Sequence, residues 1–205
     1  MTEFKETELD ERAIKMAKVL SADAVERAGH GHPGSPVSLA PIAYTLYQHF
    51  IKHDPNDPNW EGRDRFILSG GHASLTQYVQ LYFSGYGLTL DDLKNFRGGA
   101  DTRTPGHPEY GVTPGVDAST GPLGHGFAMG VGFAIAETML AAKYNKPGFE
   151  VVNHYTYGLT SDGDQMEGVA SEAASLAGTL GLGKLIYLYD DNHITTVSYT
   201  HLTLP

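Results

Sequence analysis

Apolar residues along much of this chain recur with a spacing of about 3.6, the signature of amphipathic helices. From Glu8 to Ala28 the positions Leu9, Ala13, Met16, Ala17, Leu20 and Ala24 form such a stripe, and Gly29 stops it as a C-cap. The following His30-Gly31-His32-Pro33-Gly34-Ser35-Pro36 can neither continue a helix nor sit in a central strand. Ser35 and Pro36 provide an N-cap and a first-turn proline for a second helix, with Val37, Leu39, Ile42, Ala43, Leu46 and Phe50 on its apolar face. His53 to Gly62 is turn chemistry without a period, and Arg63 to Ser69 reads as a short buried strand. Gly70-Gly71-His72-Ala73-Ser74 then opens a helix that carries Leu75, Tyr78, Val79, Leu81 and Tyr82.

Thr89 to Phe96 reads as a short helix started by a Thr-x-x-Asp box. Gly98 to Thr120 has no helix or strand period, and a loop of that length in a compact domain is expected to be disordered or functional. Gly124 to Lys143 is a helix with Phe127, Val131, Ala134, Ile135 and Met139 inward, and Gly126 and Gly130 permit close packing. From Tyr155 to Thr195 the pattern is strand, tight turn at Ser161-Asp162-Gly163-Asp164, alanine-rich helix from near Gln165, and a second, buried strand Leu185–Tyr189 ending in Asp190-Asp191-Asn192. That is a βαβ unit, so the strands are parallel and their ends share one edge. The fold class is α/β, a parallel sheet flanked by helices.

The chemistry collects at that edge. Asp162 ends one strand and Asn192 the next, and with the Ile194 carbonyl they offer about three oxygens, a set that suits Mg²⁺ completed by water and phosphate. Gly163 lets backbone N–H groups approach the phosphate, and the next helix points its positive end the same way. The expected ligand is a diphosphate bridged by a divalent cation, Mg²⁺ or Ca²⁺.

Composition narrows the picture. With 205 residues the chain makes about one domain; 40% apolar residues, 12 tyrosines and 25 glycines fit an α/β protein with many backbone-built loops. A net charge of −10 argues against nucleic acid or an anionic membrane as partner, and an acidic chain needs a cation to hold an acidic cofactor. Without cysteine there are no disulfides, thiolates or zinc–sulfur sites, which fits a reducing cytoplasm. The charged N-terminus lacks the apolar core of a signal peptide, and no apolar run approaches membrane-spanning length. No HExxH occurs, and no G-x-G-x-x-G follows a strand.

Five blocks, GHPGSP, RDRFILSGGHAS, TPGHPEYGVTPGVDASTGPLG, SDGDQMEG and DDNHI, together resemble the diphosphate-binding part of transketolases, from about Leu9 to Thr195. The resemblance implies a thiamine diphosphate-binding domain of the PP type over 1–195, with Asp162, Asn192 and the Ile194 carbonyl on the metal. It puts Gly163 at the diphosphate, His72, Gly121, Pro122 and Leu123 at the cofactor, and Glu167 at a subunit contact beside it. His32 and His107 would handle the sugar, while His30 is expected to be merely solvated. The implied activity is transfer of a two-carbon ketol group between sugar phosphates in the pentose phosphate pathway. It implies a homodimer or a separate C-terminal chain, since the family's pyrimidine-binding and third domains do not fit in this length. A deoxyxylulose-phosphate synthase is the alternative enzyme, and a non-catalytic binding module the alternative class. Ser161 replaces a family glycine, which is tolerated if its φ is negative, and His125 replaces a glutamine. Residues 196–205 depart from the family, as a truncation or shifted reading frame would make them.

Overall fold

In the computed structural model, which describes residues 5–194, three strands form one parallel sheet in the order β1 (Arg65–Leu68), β2 (Thr156–Ser161), β3 (Leu185–Asp190). Leu159 of β2 pairs with Leu68 on one side and Leu188 on the other. Because all three run the same way, Ser69, Asp162 and Asp191 follow the strands at one edge of the sheet. β1 is buried throughout, and β2 up to Ser161. β3 is not the buried strand its apolar run suggests: among the described residues it pairs with β2 alone, and unlike β1, the other edge strand, it leaves Ile186 and Tyr189 exposed.

One face of the sheet, with Phe66, Leu68, Tyr157 and Leu159, packs into a core shared with α1 (Glu8–Ala28), α4 (Leu75–Phe83) and α5 (Leu90–Lys94). The other face meets α6 (His125–Tyr144) and α8 (Gly168–Leu180) through Phe127, Val131, Ala170 and Tyr187. The expected layering of helices around a parallel sheet therefore forms.

Several predicted faces turn. α1 starts at a Thr7–Asp10 capping box and stops at Gly29, φ 74°, but it buries Asp10, Ile14, Ala17, Ser21 and Ala24, leaving Leu9 and Met16 exposed. The cause is Asp10, which accepts from Tyr44 Oη at 3.0 Å and lies 3.2 Å from His49 Nε2, and this buried polar contact sets the helix rotation. The second predicted helix is broken into α2 (Gly34–Ser38), α3 (Ala40–Thr45) and a π turn (Leu46–Phe50). Pro41 has no N–H to continue α2, and the π turn carries Phe50 out to solvent. Ser35 lies inside α2 rather than capping it, and Pro33 is the cap residue.

α5 has the predicted Thr89–Asp92 capping box. α6 buries Gly126, Phe127, Gly130, Val131 and Ala134 as expected, whereas Met139 is exposed. By length and composition α6 could cross a membrane, contrary to expectation, but it lies against the sheet with Glu137 buried and its Oε1 2.6 Å from Lys184 Nζ. The helix expected near Gln165 is divided into one turn, α7 (Asp162–Gln165), and α8 after a break at Glu167.

Candidate functional site

The strand edge is assembled around Asp164, which has no exposed surface. Its Oδ1 accepts from Ser69 Oγ at 2.8 Å and from the Gly124 amide at 2.9 Å. Its Oδ2 accepts from the Ser161 amide and hydroxyl, both at 3.1 Å. Ser69 Oγ in turn accepts from the Phe127 amide at 2.9 Å, so one carboxylate ties the ends of β1 and β2 to the start of α6. Ser161 has φ −135° and ψ 176°, an extended backbone that any residue adopts, so the serine that replaces the family glycine is unstrained and adds a hydroxyl to this network.

Asp162, buried at the first turn after β2, is met by the chain leaving β3. Its Oδ2 accepts from the Asn192 amide at 2.9 Å and the His193 amide at 2.6 Å, and Tyr189 donates its hydroxyl to Oδ1. Burial raises its pKa, but the bonds from Tyr189 and the two amides outweigh that and leave it below the ordinary carboxylate range. The two predicted strand ends thus come together, although through the Asn192 backbone. The Asn192 side chain donates to Asp190 Oδ2 at 2.8 Å and accepts from the Ile194 amide at 2.9 Å. Two residues that sequence reasoning passed over stand here as well: ligand atoms of Asp162, Asp191 and His193 lie within 4.8 Å of one another. Their signal was the DDNH run itself. Gly163 is buried within α7, and Glu167 is exposed at the N-cap of α8, with its Cβ 2.7 Å from where a Gly124 side chain would begin.

The second group is made of histidines. His72, in a one-turn 3₁₀ helix after β1, lies with its ring centroid 4.9 Å from that of His32, edge to face. Gly70 separates the two groups: a Cβ there would lie 3.3 Å from His72 Cε1 and 3.6 Å from Asp164 Oδ2. His107 Cδ2 is 3.6 Å from the corresponding point on Gly121, which leads with Pro122 and Leu123 into α6. Burial, with the charge of His32 next, lowers the His72 pKa; burial, then Arg97, lowers that of His107. Both imidazoles are therefore held toward the neutral form, in which each has one N–H and one acceptor nitrogen. His30 is not simply solvated, since its Nδ1 is 3.1 Å from Arg97 Nη1. His125 stands exposed at the first position of α6.

The long loop from Gly98 to Thr120 has no helix or strand and is ordered by side-chain bonds to its backbone. Ser74 Oγ donates to the Gly106 carbonyl and Tyr78 Oη to the His107 carbonyl, each at 3.0 Å. Asp117 accepts from Arg63 Nη2 at 2.7 Å and the Phe66 amide at 3.0 Å. The loop is thereby held against β1 and α4, which fixes where His107 sits.

A family model described as "Transketolase, thiamine diphosphate binding domain" matches residues 9–204. The transketolase of Geobacillus stearothermophilus is 59% identical over 187 residues, 91% of this chain and 28% of that protein. That of Treponema pallidum is 54% identical over 198 residues, covering 96% and 30%. Among solved structures, transketolase from Leishmania mexicana superposes with a TM-score of 0.91 at 49% identity, over 96% of this chain and 29% of that one. A Pichia stipitis transketolase variant gives 0.92 at 46%, over 97% and 29%. The chain spans under a third of the length of these relatives. The divergence noted after Asn192 falls on 196–205, outside the described residues. With its five motif blocks, its sheet and its family match in agreement, the chain belongs to the transketolase family and carries that family's thiamine diphosphate binding domain.

Proposed function

We propose that the C-terminal edge of the sheet binds the diphosphate of thiamine diphosphate through a divalent cation, in the service of ketol transfer between sugar phosphates by an assembled transketolase. The observation that carries this reading is the meeting of buried Asp162 with the 190–194 segment across two strand ends. Ligand atoms of Asp162, Asp191 and His193 within 4.8 Å of one another are a donor set of hard carboxylate oxygens plus one imidazole, and it fits a divalent cation. Asp162, Asn192 and the Ile194 carbonyl would hold Mg²⁺ or Ca²⁺, with Gly163 at the diphosphate. His72, Gly121, Pro122 and Leu123 would line the cofactor, and Glu167 would sit at a subunit contact.

When bound, the cofactor supplies an electron sink for cleaving the bond beside a carbonyl. His32 and His107, both exposed, would orient sugar oxygens and move protons at them, which an imidazole side chain can do near pH 7. Pichia stipitis transketolase has been solved with xylulose-5-phosphate, sedoheptulose-7-phosphate and fructose-6-phosphate, and phosphosugars of that class are the substrates we bring to this chain. The exposed Met139, Leu140 and Tyr144 of α6, with Val169, Leu176 and Leu180 of α8, offer apolar surface for a second copy or for the remaining transketolase domains. A cytoplasmic setting belongs to the same proposal.

Calorimetry of thiamine diphosphate with and without Mg²⁺, on the wild type and Asp162→Ala, tests the reading. Binding should require Mg²⁺ and weaken at least about tenfold in the variant, about 1.4 kcal/mol. Equal affinity with and without the cation, or in the variant, would reject it.

A further inference from the structure

We propose that Arg97 is the positioning residue of the histidine cluster: its guanidinium, wedged between His30 and the Gly106 backbone, sets the spacing of the loops that carry His32 and His107 and gives the His72 and His107 rings one fixed positive neighbour. Arg97 follows α5 at the head of the long loop, where its amide donates to the Thr104 carbonyl at 3.1 Å. Its φ of 57° is left-handed, which among the described non-glycine residues only His193 shares. From there the side chain runs along Phe96, with the guanidinium carbon 5.5 Å from that ring's centroid. Nη1 is 3.1 Å from His30 Nδ1. Since a guanidinium only donates, His30 Nδ1 is the acceptor and its proton sits on Nε2.

On its other side the guanidinium abuts Gly106. A Cβ there would come within 2.9 Å of Nε and 3.2 Å of Nη2, so position 106 admits no side chain while Arg97 stays. The carbonyls of Gly106 and His107 are held in turn by the hydroxyls of Ser74 and Tyr78. Nε is buried and finds no acceptor among the described residues. A left-handed backbone and an unmade hydrogen bond are both unfavourable, and this residue carries the two together. What they secure is a permanent charge facing the rings. His107 sees Arg97, His32 and Glu109; His72 sees His32, His107, Arg97 and, with opposite sign, Asp164.

The link to sugar chemistry rests on the reading proposed above. The coupling of Arg97 to the rings does not, and it is measured on the chain without cofactor or substrate, so the two fail separately. NMR titration of the full chain with isotope-labelled histidine reads each ring's midpoint. In Arg97→Met, His107 and His72 should titrate at higher pH than in the wild type. Arg97→Lys keeps the charge and loses the planar fork. Its His72 and His107 midpoints should stay near wild type while the His30 resonances lose the signature of an accepting Nδ1. Arg97→Gly relaxes the left-handed backbone yet should give the same upward move as methionine, which separates charge from strain and serves if the methionine variant does not fold. Unchanged His72 and His107 midpoints in folded Arg97→Met or Arg97→Gly protein would overturn the proposal.

Discussion

Asp164 accepts four hydrogen bonds while fully buried, so alanine in its place strands the Ser69 and Ser161 hydroxyls and the Gly124 and Ser161 amides. At about 1–3 kcal/mol for each buried group left unpaired, and with partial rearrangement, Asp164→Ala should lose about 3–5 kcal/mol of unfolding free energy in urea. Ser161→Ala keeps the extended backbone and removes one hydroxyl, and about 1 kcal/mol is expected. A loss in Asp164→Ala no larger than that of Ser161→Ala would show that the carboxylate does not organise the edge. Acid acts on different side chains. His72, His107 and His154 all have pKa values lowered first by burial, so each binds its proton more readily in the unfolded chain. Their contribution to stability is complete above the unfolded histidine value of about 6.5 and is lost as pH falls from there through the lowered folded values. The urea midpoint should therefore drop between pH 7.5 and pH 5.5; a flat profile would mean that these rings titrate alike in both states.

At the scale of elements, the crossover from β2 to β3 is packed around one ring. Tyr187 stacks on Phe127 with centroids 4.2 Å apart and donates to the Gly126 and Phe127 carbonyls at 3.0 and 3.1 Å. A Cβ on Gly158 would meet its Cε1 at 2.1 Å, and one on Gly130 would meet its hydroxyl oxygen at 2.1 Å. Alanine at either glycine should cost about 1–3 kcal/mol through overpacking, more than the helix propensity regained at Gly130. Tyr187→Phe should relieve Gly130→Ala, whose clash is with the hydroxyl, and should not relieve Gly158→Ala, whose clash is with the ring. Thermal unfolding of the two double variants reads this coupling directly. These contacts also show what a sequence discloses. The Thr89–Asp92 box and the strand–turn–helix–strand order are local, and the meeting of the Asp162 and Asn192 segments follows from parallel topology alone. The rotation of α1 was hidden because Asp10 answers to Tyr44 on α3 and His49 on the π turn, and the hub at Asp164 because one of its donors, Ser69, comes from the chain leaving β1. Arg97 reads as an ordinary surface arginine until the loop at Gly106 is folded against it.

Over the whole molecule the sheet joins two stretches of very different span. Thr156 pairs with Leu185 inside the crossover but also with Arg65, about ninety positions earlier. Closing the longer loop costs more chain entropy, so the β2–α8–β3 unit should form first and β1 dock later. Stopped-flow kinetics test the order. Ala177→Gly in α8 should mainly slow refolding and Phe66→Leu in β1 mainly speed unfolding, and the reverse pattern would refute it. During synthesis the same arrangement imposes a wait. The segment Arg65–Leu68 leaves the ribosome with no strand to pair with until residue 156 has followed, about 5–20 s later at ordinary elongation rates. For that interval Phe66, Ile67 and Leu68 are a sticky, unsheltered stretch of nascent chain, the place where a holdase chaperone would have most to do.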